Sequence, residues 1–327
     1  MNALPLKLIC TRTLTALAML FPVVVAAQTY PVKPIRMIVP SSSGSTVDLV
    51  ARTVGQRLGE QLKQQVIADN RAGAGGNLGA EIAAKSPPDG YTLFVVTSTF
   101  SINVNLYPRL NYDLQRDFTP VSLLLGNGAF VLVAHPSFPA RTVKEVIALA
   151  RAKPGKIDYA SAGIGNSLQL SGELFKSRAK IDIVHVPYKG TGPALTALLG
   201  GEVPLMFSGI PAAIPHLTAG RLRPLAVTGP RRSSALRNIP TMMEAGVPDY
   251  VVTAWYGVLA PAATPVTVVN RLHGELVKVM REPEIVKRFA GEGLEAQATT
   301  PSELAAFLTA EIGKWSKVIR ETNITLE

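Results

Sequence analysis

Cysteine is nearly absent from this sequence of 327 residues, whose single cysteine is Cys10. An almost uncharged stretch, residues 13–27, follows it and ends in Val25-Ala26-Ala27, a small-residue cleavage pattern. Lys7 and Arg12 supply the positive charges that precede such a stretch. This order predicts a secretory signal peptide over residues 1–27. The chain after Ala27 then has no thiol, which excludes a disulfide framework and thiolate chemistry.

A hydrophobic run long enough to anchor the chain in a membrane is also lacking. A spanning helix needs roughly 20 apolar residues, whereas the run at 13–27 is shorter and contains Pro22. Polar Gln28 and a proline-rich segment follow at once. We therefore expect a secreted protein. A chain of about 300 residues buries roughly three-quarters of the surface that it exposes when unfolded, so it can be stable without disulfides.

Acidic residues are fewer than basic ones, with 23 Asp and Glu against 33 Lys and Arg. Removal of Lys7 and Arg12 leaves 31 cations against 23 anions, a net charge of +8. The excess is scattered, and only Arg231-Arg232 and residues 176–180 approach clusters. Neither cluster interleaves aromatic residues as a single-strand surface would, so we expect no nucleic-acid partner. A general attraction for anionic ligands remains compatible with this charge.

Signatures of metal, nucleotide and esterase sites are missing. The four histidines, His135, His185, His216 and His273, stand at least 31 positions apart and form no short-range ligand pair. The glycines of residues 73–79 do not fit the G-x-G-x-x-G register. No phosphate-binding loop and no G-x-S-x-G elbow occurs. We expect no cofactor and no metal.

Short β-branched runs alternate with amphipathic helical patterns from Ile35 onward, which predicts a parallel α/β architecture. Strands are predicted at residues 35–39, 65–68, 92–96, 130–134, 158–160, 183–186, 203–207 and 222–227. Helices are predicted over 47–58, 143–150, 193–199 and 211–219, and from residues 166, 265 and 300. The apolar run 251–259, with Trp255 and Tyr256, is interpreted mainly as core packing.

Polar residues collect where the predicted strands end. In open parallel sheets, ligands bind beyond the carboxyl ends of strands, where helix N-termini present unpaired N–H groups. Turn and capping roles explain any single loop, but their recurrence at successive strand ends favours a binding site. The predicted ligand-binding residues are Ser41, Ser42, Ser43, Gly44, Ser45, Thr46, Thr97, Ser98, Ser161, Gly163, Gly165, Asn166, Ser167, Tyr188, Lys189 and Ser208.

Hydroxyls and glycines dominate these loops, in which Arg71 and Lys189 are the only cations. An anion would therefore be held mostly by neutral donors and helix dipoles, which suits a carboxylate. Asp48 falls in the first turn of a predicted helix, where a carboxylate favours the dipole. We interpret Asp48 and Arg52 as structural.

Short motifs along the whole chain after Ala27 support the prediction of a carboxylate-binding protein. They are Tyr30-Pro31, Pro34-Ile35, Ile38-Val39-Pro40, Asp48 with Ala51-Arg52, Asn70-Arg71 with Gly73-Ala74-Gly75-Gly76, Pro88-Asp89-Gly90-Tyr91-Thr92-Leu93, Tyr159-Ala160-Ser161, Val186-Pro187-Tyr188-Lys189-Gly190, Pro240-Thr241, and Trp255 with Gly257, Ala260-Pro261 and Thr264-Pro265. In this order they closely resemble the Bug family, the extracytoplasmic solute receptors of tripartite tricarboxylate transporters.

The resemblance implies a type II periplasmic binding-protein fold, in which the chain crosses twice between two parallel-sheet lobes around a ligand cleft. Lobe 1 is expected at residues 28–126 plus 252–327, and lobe 2 at 127–251. The implied function is a periplasmic receptor, not an enzyme, that captures a small carboxylate for membrane subunits of such a transporter. Candidate ligands are di- or tricarboxylates, hydroxyacids, aromatic acids and amino acids. We expect a monomer.

One loop departs from the family pattern. Ser41-Ser42-Ser43-Gly44-Ser45 stands where the family usually has an aromatic residue followed by Pro-Gly-Gly. The added hydroxyls favour a more polar ligand than a plain aliphatic diacid. Two alternatives stay open: a secreted α/β hydrolase that uses a cleft serine, and a sensor that presents its closed form to a signalling protein.

Overall fold

The computed structural model describes residues 30–322, 324 and 325. The predicted signal peptide lies outside these described residues. The strands are β1 (Ile35–Val39), β2 (Val66–Asn70), β3 (Thr92–Thr97), β4 (Phe118–Ala134), β5 (Asp158–Ser161), β6 (Val184–Pro187), β7 (Leu205–Gly209), β8 (Arg223–Val227), β9 (Thr253–Pro261) and β10 (Glu295–Ala296).

The helices alternate with these strands, as the sequence predicts. They are α1 (Thr46–Leu62), α2 (Asn77–Ala84), α3 (Ser98–Leu106), α4 (Val143–Ala152), α5 (Ser167–Ala179), α6 (Thr191–Leu199), α7 (Ile210–Thr218), α8 (Val266–Arg281), α9 (Pro283–Gly291) and α10 (Pro301–Thr322). Among these helices of the described residues, none combines the length and apolar character that crossing a membrane requires.

The strands follow the order β2-β1-β3-β9-β4-β7-β5-β6, with β8 and β10 also paired to β4. β1 runs parallel to β2 and β3, and β5 runs parallel to β6 and β7. The long strands β4 and β9 are antiparallel to each other, β3 is antiparallel to β9, and β7 is antiparallel to β4. The sheets are therefore mixed, not wholly parallel as predicted. The reason is that the chain crosses between the two halves along one extended strand and returns along another in the opposite direction.

Strand β4 joins the two halves of the molecule. Its first part pairs with β9 up to Ala129, and its last part, from Phe130, pairs with β7. Near the end of the first part, Asn127 has a left-handed φ of 50°. We call the half built on β1–β3, β9 and β10 lobe 1, and the half built on β5–β8 lobe 2. The sequence predicted only the last part of β4, because Pro120, Gly126 and Gly128 interrupt the β-branched pattern.

Thr228 forms hydrogen bonds to both segments that cross between the lobes, β4 and the segment that leads into β9. Its hydroxyl accepts the Phe130 N–H at 2.8 Å and donates to the Val252 carbonyl at 2.7 Å. Its backbone exchanges two further hydrogen bonds with Phe130 and Val252, each 2.9 Å long. Since Thr228 is fully buried, these bonds fix the junction between the lobes without help from water.

The core explains why the strands lie where they do. β1 is buried on both faces except at Arg36, as expected for a strand covered by helices on both sides. Trp255 of β9 is buried in lobe 1 and donates its Nε1–H to Glu311 of α10 at 3.0 Å. Trp255 is thus a core residue, as predicted. Most of the apolar run 251–259, for which the sequence predicted no strand, belongs to β9.

Side-chain caps set the beginnings of α1, α4, α5 and α10. Thr300 and Glu303 form the reciprocal capping box predicted for α10: the Glu303 N–H donates to the Thr300 hydroxyl at 3.2 Å, and the Glu303 carboxylate accepts the Thr300 N–H at 2.7 Å. Pro265 is the residue before α8, not its first helical residue as predicted.

Candidate functional site

Six helices of the described chain begin at the rim of one cavity between the lobes. Lobe 1 contributes the N-termini of α1, α2 and α3, and lobe 2 contributes those of α5, α6 and α7. Each N-terminus carries unpaired N–H groups and the positive end of a helix dipole. The cavity volume is about 80 Å³. The arrangement is suited to a small anion.

Seven of the sixteen residues that the sequence predicts for ligand binding line this cavity. They are Ser41, Ser45, Thr46, Thr97, Ser98, Asn166 and Ser167. They come from three loops of the two lobes, after β1, β3 and β5. The structure therefore brings together predicted residues that are more than 100 positions apart.

The other nine predicted residues lie outside the cavity lining. They are Ser42, Ser43, Gly44, Ser161, Gly163, Gly165, Tyr188, Lys189 and Ser208. Ser208 is buried, and its hydroxyl donates to the Gly209 carbonyl at 3.2 Å. Lys189 is exposed at the surface. A ligand role for these nine residues stays a prediction.

The loop after β1 is held by Asp48. Its carboxylate accepts hydrogen bonds from the Gly44 N–H and the Asn70 amide at 2.9 Å, and from the Arg52 Nε at 3.0 Å. Burial opposes ionisation, but the Arg52, Gly44 and Asn70 donors outweigh it and hold the pKa of Asp48 below its usual range. The structural interpretation of Asp48 and Arg52 agrees with these contacts.

The Thr46 hydroxyl is the unsatisfied polar group of this loop. Its Oγ1 is buried beside the cavity and makes no well-formed hydrogen bond to the described residues, with the Tyr256 hydroxyl as a polar neighbour. A buried polar atom without a partner is costly unless a ligand or water satisfies it. Nearby, burial raises the pKa of the Tyr256 hydroxyl well above its ordinary value, so Tyr256 is a neutral donor at physiological pH.

In lobe 2, Asn166 and Ser161, on either side of the turn after β5, have different structural roles. Asn166 Oδ1 accepts the N–H groups of Leu168 and Gln169 at 2.8 and 3.0 Å and so begins α5. Ser161 is buried behind the cavity, where its Oγ accepts the Gly163 N–H at 3.1 Å. The same Oγ lies 2.5 Å from His185 Nε2. Neither residue of this serine–histidine pair is part of the cavity lining.

No charged side chain is found in the cavity wall among the residues that the structure describes. Arg71, which the sequence placed near the site, lies outside the lining and pairs with Asp69 at 2.9 Å. Phe100, Phe130 and Leu168 supply apolar surface beside the hydroxyls. The wall therefore offers neutral donors, helix dipoles and a few apolar contacts, as the loop composition predicted.

Sequence reasoning missed several lining residues. Gly73, Gly75 and Gly76 lie between β2 and the start of α2, just as the predicted loops lie between a strand and a helix. A cluster of glycines after a strand could therefore have indicated these cavity residues. Thr99 lies three residues past the predicted strand end at 96, and Thr191 lies two residues before the predicted helix start at 193. Phe130 and Tyr256 lie inside strands, where an aromatic residue that faces the cleft has the same sequence pattern as one that faces the core.

The two lobes are in direct contact around the cavity. The Gly192 N–H donates to the Ser42 hydroxyl at 3.0 Å, and the Ser167 N–H donates to the Thr99 hydroxyl at 3.2 Å. The Tyr107 hydroxyl donates to the Ile164 carbonyl at 2.8 Å. These three hydrogen bonds join lobe 1 to lobe 2 at the cleft, together with the contact between the Thr99 and Ser167 hydroxyls at 3.2 Å. They show that the structure is a closed form of the cleft.

Comparison with known proteins identifies the family to which the chain is similar. The model of the tripartite tricarboxylate transporter family receptor matches residues 50–324. BugT of Bordetella pertussis is 36% identical over 305 residues, which are 93% of each chain. An R. palustris structure with adipate has a TM-score of 0.87 and 35% identity, covering 90% of this chain and 99% of that one.

A second solved structure, MatC from Rhodopseudomonas palustris with bound malate, has a TM-score of 0.84 and 32% identity, covering 89% of this chain and 100% of that one. These likenesses confirm the predicted periplasmic binding-protein fold and the Bug resemblance. They also favour the receptor over the hydrolase, because the matched family consists of transport receptors. The chain belongs to the tripartite tricarboxylate transporter receptor family.

Proposed function

We propose that this chain captures a small dicarboxylate between its lobes and presents it to the membrane subunits of a tripartite tricarboxylate-type transporter. The observation that carries the proposal is the convergence of six helix N-termini on one cavity, in whose wall the described residues place no charged side chain. The relatives solved with malate and with adipate support a carboxylate ligand.

The energetics are sufficient for this role. A helix N-terminus contributes about 0.3 to 1 kcal/mol to anion binding, and a hydrogen bond to a charged group contributes about 1.5 to 3 kcal/mol. Several of each reach the roughly 8 kcal/mol of micromolar affinity after ordering costs. Because each lobe contributes three helix N-termini, a ligand with a carboxylate at each end can engage both lobes and so favour closure.

The lining favours a hydroxylated dicarboxylate such as malate over an aliphatic one such as adipate. Ser41, Ser45 and Thr46 place hydroxyls on the lobe 1 side, and the buried Thr46 Oγ1 makes no well-formed hydrogen bond to the described residues, although the Tyr256 hydroxyl is close to it. A ligand hydroxyl at that point satisfies a buried polar atom that a methylene group leaves unpaired.

Several further features belong to the proposal. They are export through the signal peptide at 1–27 with residence in the periplasm, a monomeric receptor, and lobes divided at 126/127 and 251/252. A sensor that presents the closed form to a signalling protein would use the same capture step. It differs only in the partner that recognises the closed cleft.

The test is a thermal-shift screen of protein that has been unfolded and refolded to remove bound solutes. At 100-fold its dissociation constant, malate is expected to stabilise the fold by roughly 2.7 kcal/mol. Adipate should stabilise less at equal concentration, and the uncharged diamide of malate should give no shift. Ser41→Ala should weaken malate binding, whereas Ser86→Ala, which removes a hydroxyl bonded to the Ile82 carbonyl away from the cleft, should not.

Two results would contradict the proposal. The first is the absence of a shift with any di- or tricarboxylate, while the refolded protein melts cooperatively. The second is conversion of the ligand during incubation, which would restore the hydrolase alternative. Recovery of unchanged malate after denaturation supports the receptor.

A further inference from the structure

Helix α6 begins without a side-chain cap of its own within the described chain. Its N-cap residue is Gly190, which has no side chain to accept the first N–H groups. One of these groups, the Gly192 N–H, instead donates at 3.0 Å to the hydroxyl of Ser42, which belongs to the other lobe. Lobe 1 therefore provides a cap for a helix of lobe 2.

Helix α5 has a side-chain cap of its own, but one of its first N–H groups also bonds to lobe 1. Asn166 caps the N–H groups of Leu168 and Gln169, which leaves the Ser167 N–H to another acceptor. That acceptor is the hydroxyl of Thr99 in lobe 1, at 3.2 Å from the Ser167 nitrogen and 3.2 Å from its hydroxyl. Two neighbouring helices of lobe 2 are thus completed by hydroxyls of lobe 1.

The contact between Ser42 and α6 is also sterically close. A Cβ built on Gly190 would lie 2.5 Å from Ser42 Oγ and 2.8 Å from its Cβ. Ser42 does not line the ligand cavity, so its hydroxyl is engaged by the opposite lobe and not by the site wall. The fit between Gly190 and Ser42 exists only while the lobes are together.

We infer that Ser42 and Thr99 are positioning residues that hold the cleft closed by capping α6 and α5 across it. Opening the cleft leaves the Gly192 and Ser167 N–H groups without these acceptors, and water has to replace them. The two caps therefore favour the closed form even without ligand, and they slow the release of a ligand once the lobes have met. The effect on release rests on the proposed function, whereas the effect on the unliganded protein does not.

The test compares Ser42→Ala with Thr142→Ala in unliganded protein. Thr142 caps α4 within lobe 2, accepting the Glu145 N–H at 3.2 Å, so its loss removes a cap without touching the cleft. Loss of a cap should lower the closed-to-open ratio about fivefold in Ser42→Ala only. Amide hydrogen exchange of the α6 N-terminus should rise by that factor, and the radius of gyration from X-ray scattering should increase.

Thr99 supplies a second pair of variants. Thr99→Val keeps the shape of the side chain and removes the hydroxyl, whereas Thr99→Ser keeps the hydroxyl. Faster exchange at the α5 N-terminus is expected for Thr99→Val and wild-type exchange for Thr99→Ser. Malate dissociation, followed by stopped flow, should be about fivefold faster in Ser42→Ala, with little change in the association rate.

Unchanged exchange and an unchanged radius of gyration in Ser42→Ala would overturn the inference, as would an equal change in Thr142→Ala. If no carboxylate binds at all but the unliganded variants open as expected, the proposed function fails and the closing role of Ser42 and Thr99 stands. If malate binds but the variants stay as closed as the wild type, the proposed function stands and the closing role of Ser42 and Thr99 fails.

Discussion

Asp48 shows how a residue outside the cavity shapes the site. Its carboxylate bonds the Gly44 N–H, the Asn70 amide and Arg52, and Asn70 in turn donates to the Ser41 carbonyl at 3.0 Å. These bonds fix the loop that carries Ser41, Ser45 and Thr46 into the cavity. The side chain is almost fully buried, so its charge is balanced by specific donors and not by water.

We predict that Asp48→Asn lowers the free energy of unfolding by about 1 to 3 kcal/mol at pH 7, because charge-assisted hydrogen bonds are lost. The folded-state pKa of Asp48 is lowered, so the ionised carboxylate stabilises the fold. Its contribution is complete above the ordinary value of about 3.9 and is lost as pH falls through the folded pKa. Urea unfolding between pH 7 and pH 3 should show a shallower pH dependence in the variant.

The control is Asp182→Asn, since Asp182 is exposed on lobe 2. That variant should keep the wild-type stability at pH 7. A pH profile of Asp48→Asn that overlays the wild type would show that Asp48 is not the stabilising carboxylate.

At the scale of elements, the start of α7 decides how closely the lobes approach. Gly209 is the N-cap residue of α7, with ordinary dihedral angles of φ −62° and ψ 136°. A Cβ at this position would overlap the Thr46 side chain of α1 in the other lobe. The glycine is therefore required by the contact across the cleft and not by its own backbone.

We predict that Gly209→Ala blocks closure without unfolding lobe 2. Because the backbone tolerates alanine, the unliganded melting temperature should change by no more than a few degrees. Malate affinity should fall at least about tenfold, a loss of about 1.4 kcal/mol. Calorimetric titration measures the affinity and thermal unfolding measures the stability.

Gly274→Ala in α8 is the matched control, because a Cβ there meets nothing within 4 Å. It should leave malate affinity unchanged and stabilise the fold slightly through helix propensity. Wild-type affinity in Gly209→Ala would mean that Thr46 moves aside and that α7 does not limit closure.

For the whole molecule, charge and binding are separated in space. The chain after Ala27 carries a net charge of +8, yet no charged side chain of the described residues lines the cavity. Surface cations attract an anion over roughly the 8 to 10 Å Debye length of physiological salt. Once bound, the ligand is held by dipoles and neutral donors, which salt screens much less.

The expected result is that salt slows association of malate and leaves its dissociation rate nearly unchanged. Stopped-flow rates at low and high ionic strength measure both constants. Lys189→Gln should lower the association rate by about twofold without affecting dissociation, because Lys189 is exposed at the rim. Faster dissociation in this variant would instead show that Lys189 contacts the ligand.

The sequence by itself determined the α/β alternation, the polar loops at strand ends and the family, because these depend on periodicity, local capping chemistry and ordered motifs. Ser45, Thr46 and Asn166 were predictable in this way, since a capping residue at a strand end has the same local role in any such fold. The neutral, hydroxyl-rich character of the site followed from the same loops.

Only the tertiary structure decided which neighbouring residues line the cavity and which contact the other lobe. Ser41 lines the cavity while Ser42 caps α6 across the cleft, and no local pattern separates two adjacent serines. Phe130 and Tyr256 line the cavity from strands whose residues are mostly buried in the core. The physical reason is that the site exists only where segments distant in sequence meet, so the approach of the two lobes, not the propensity of any segment, assigns each side chain its partner.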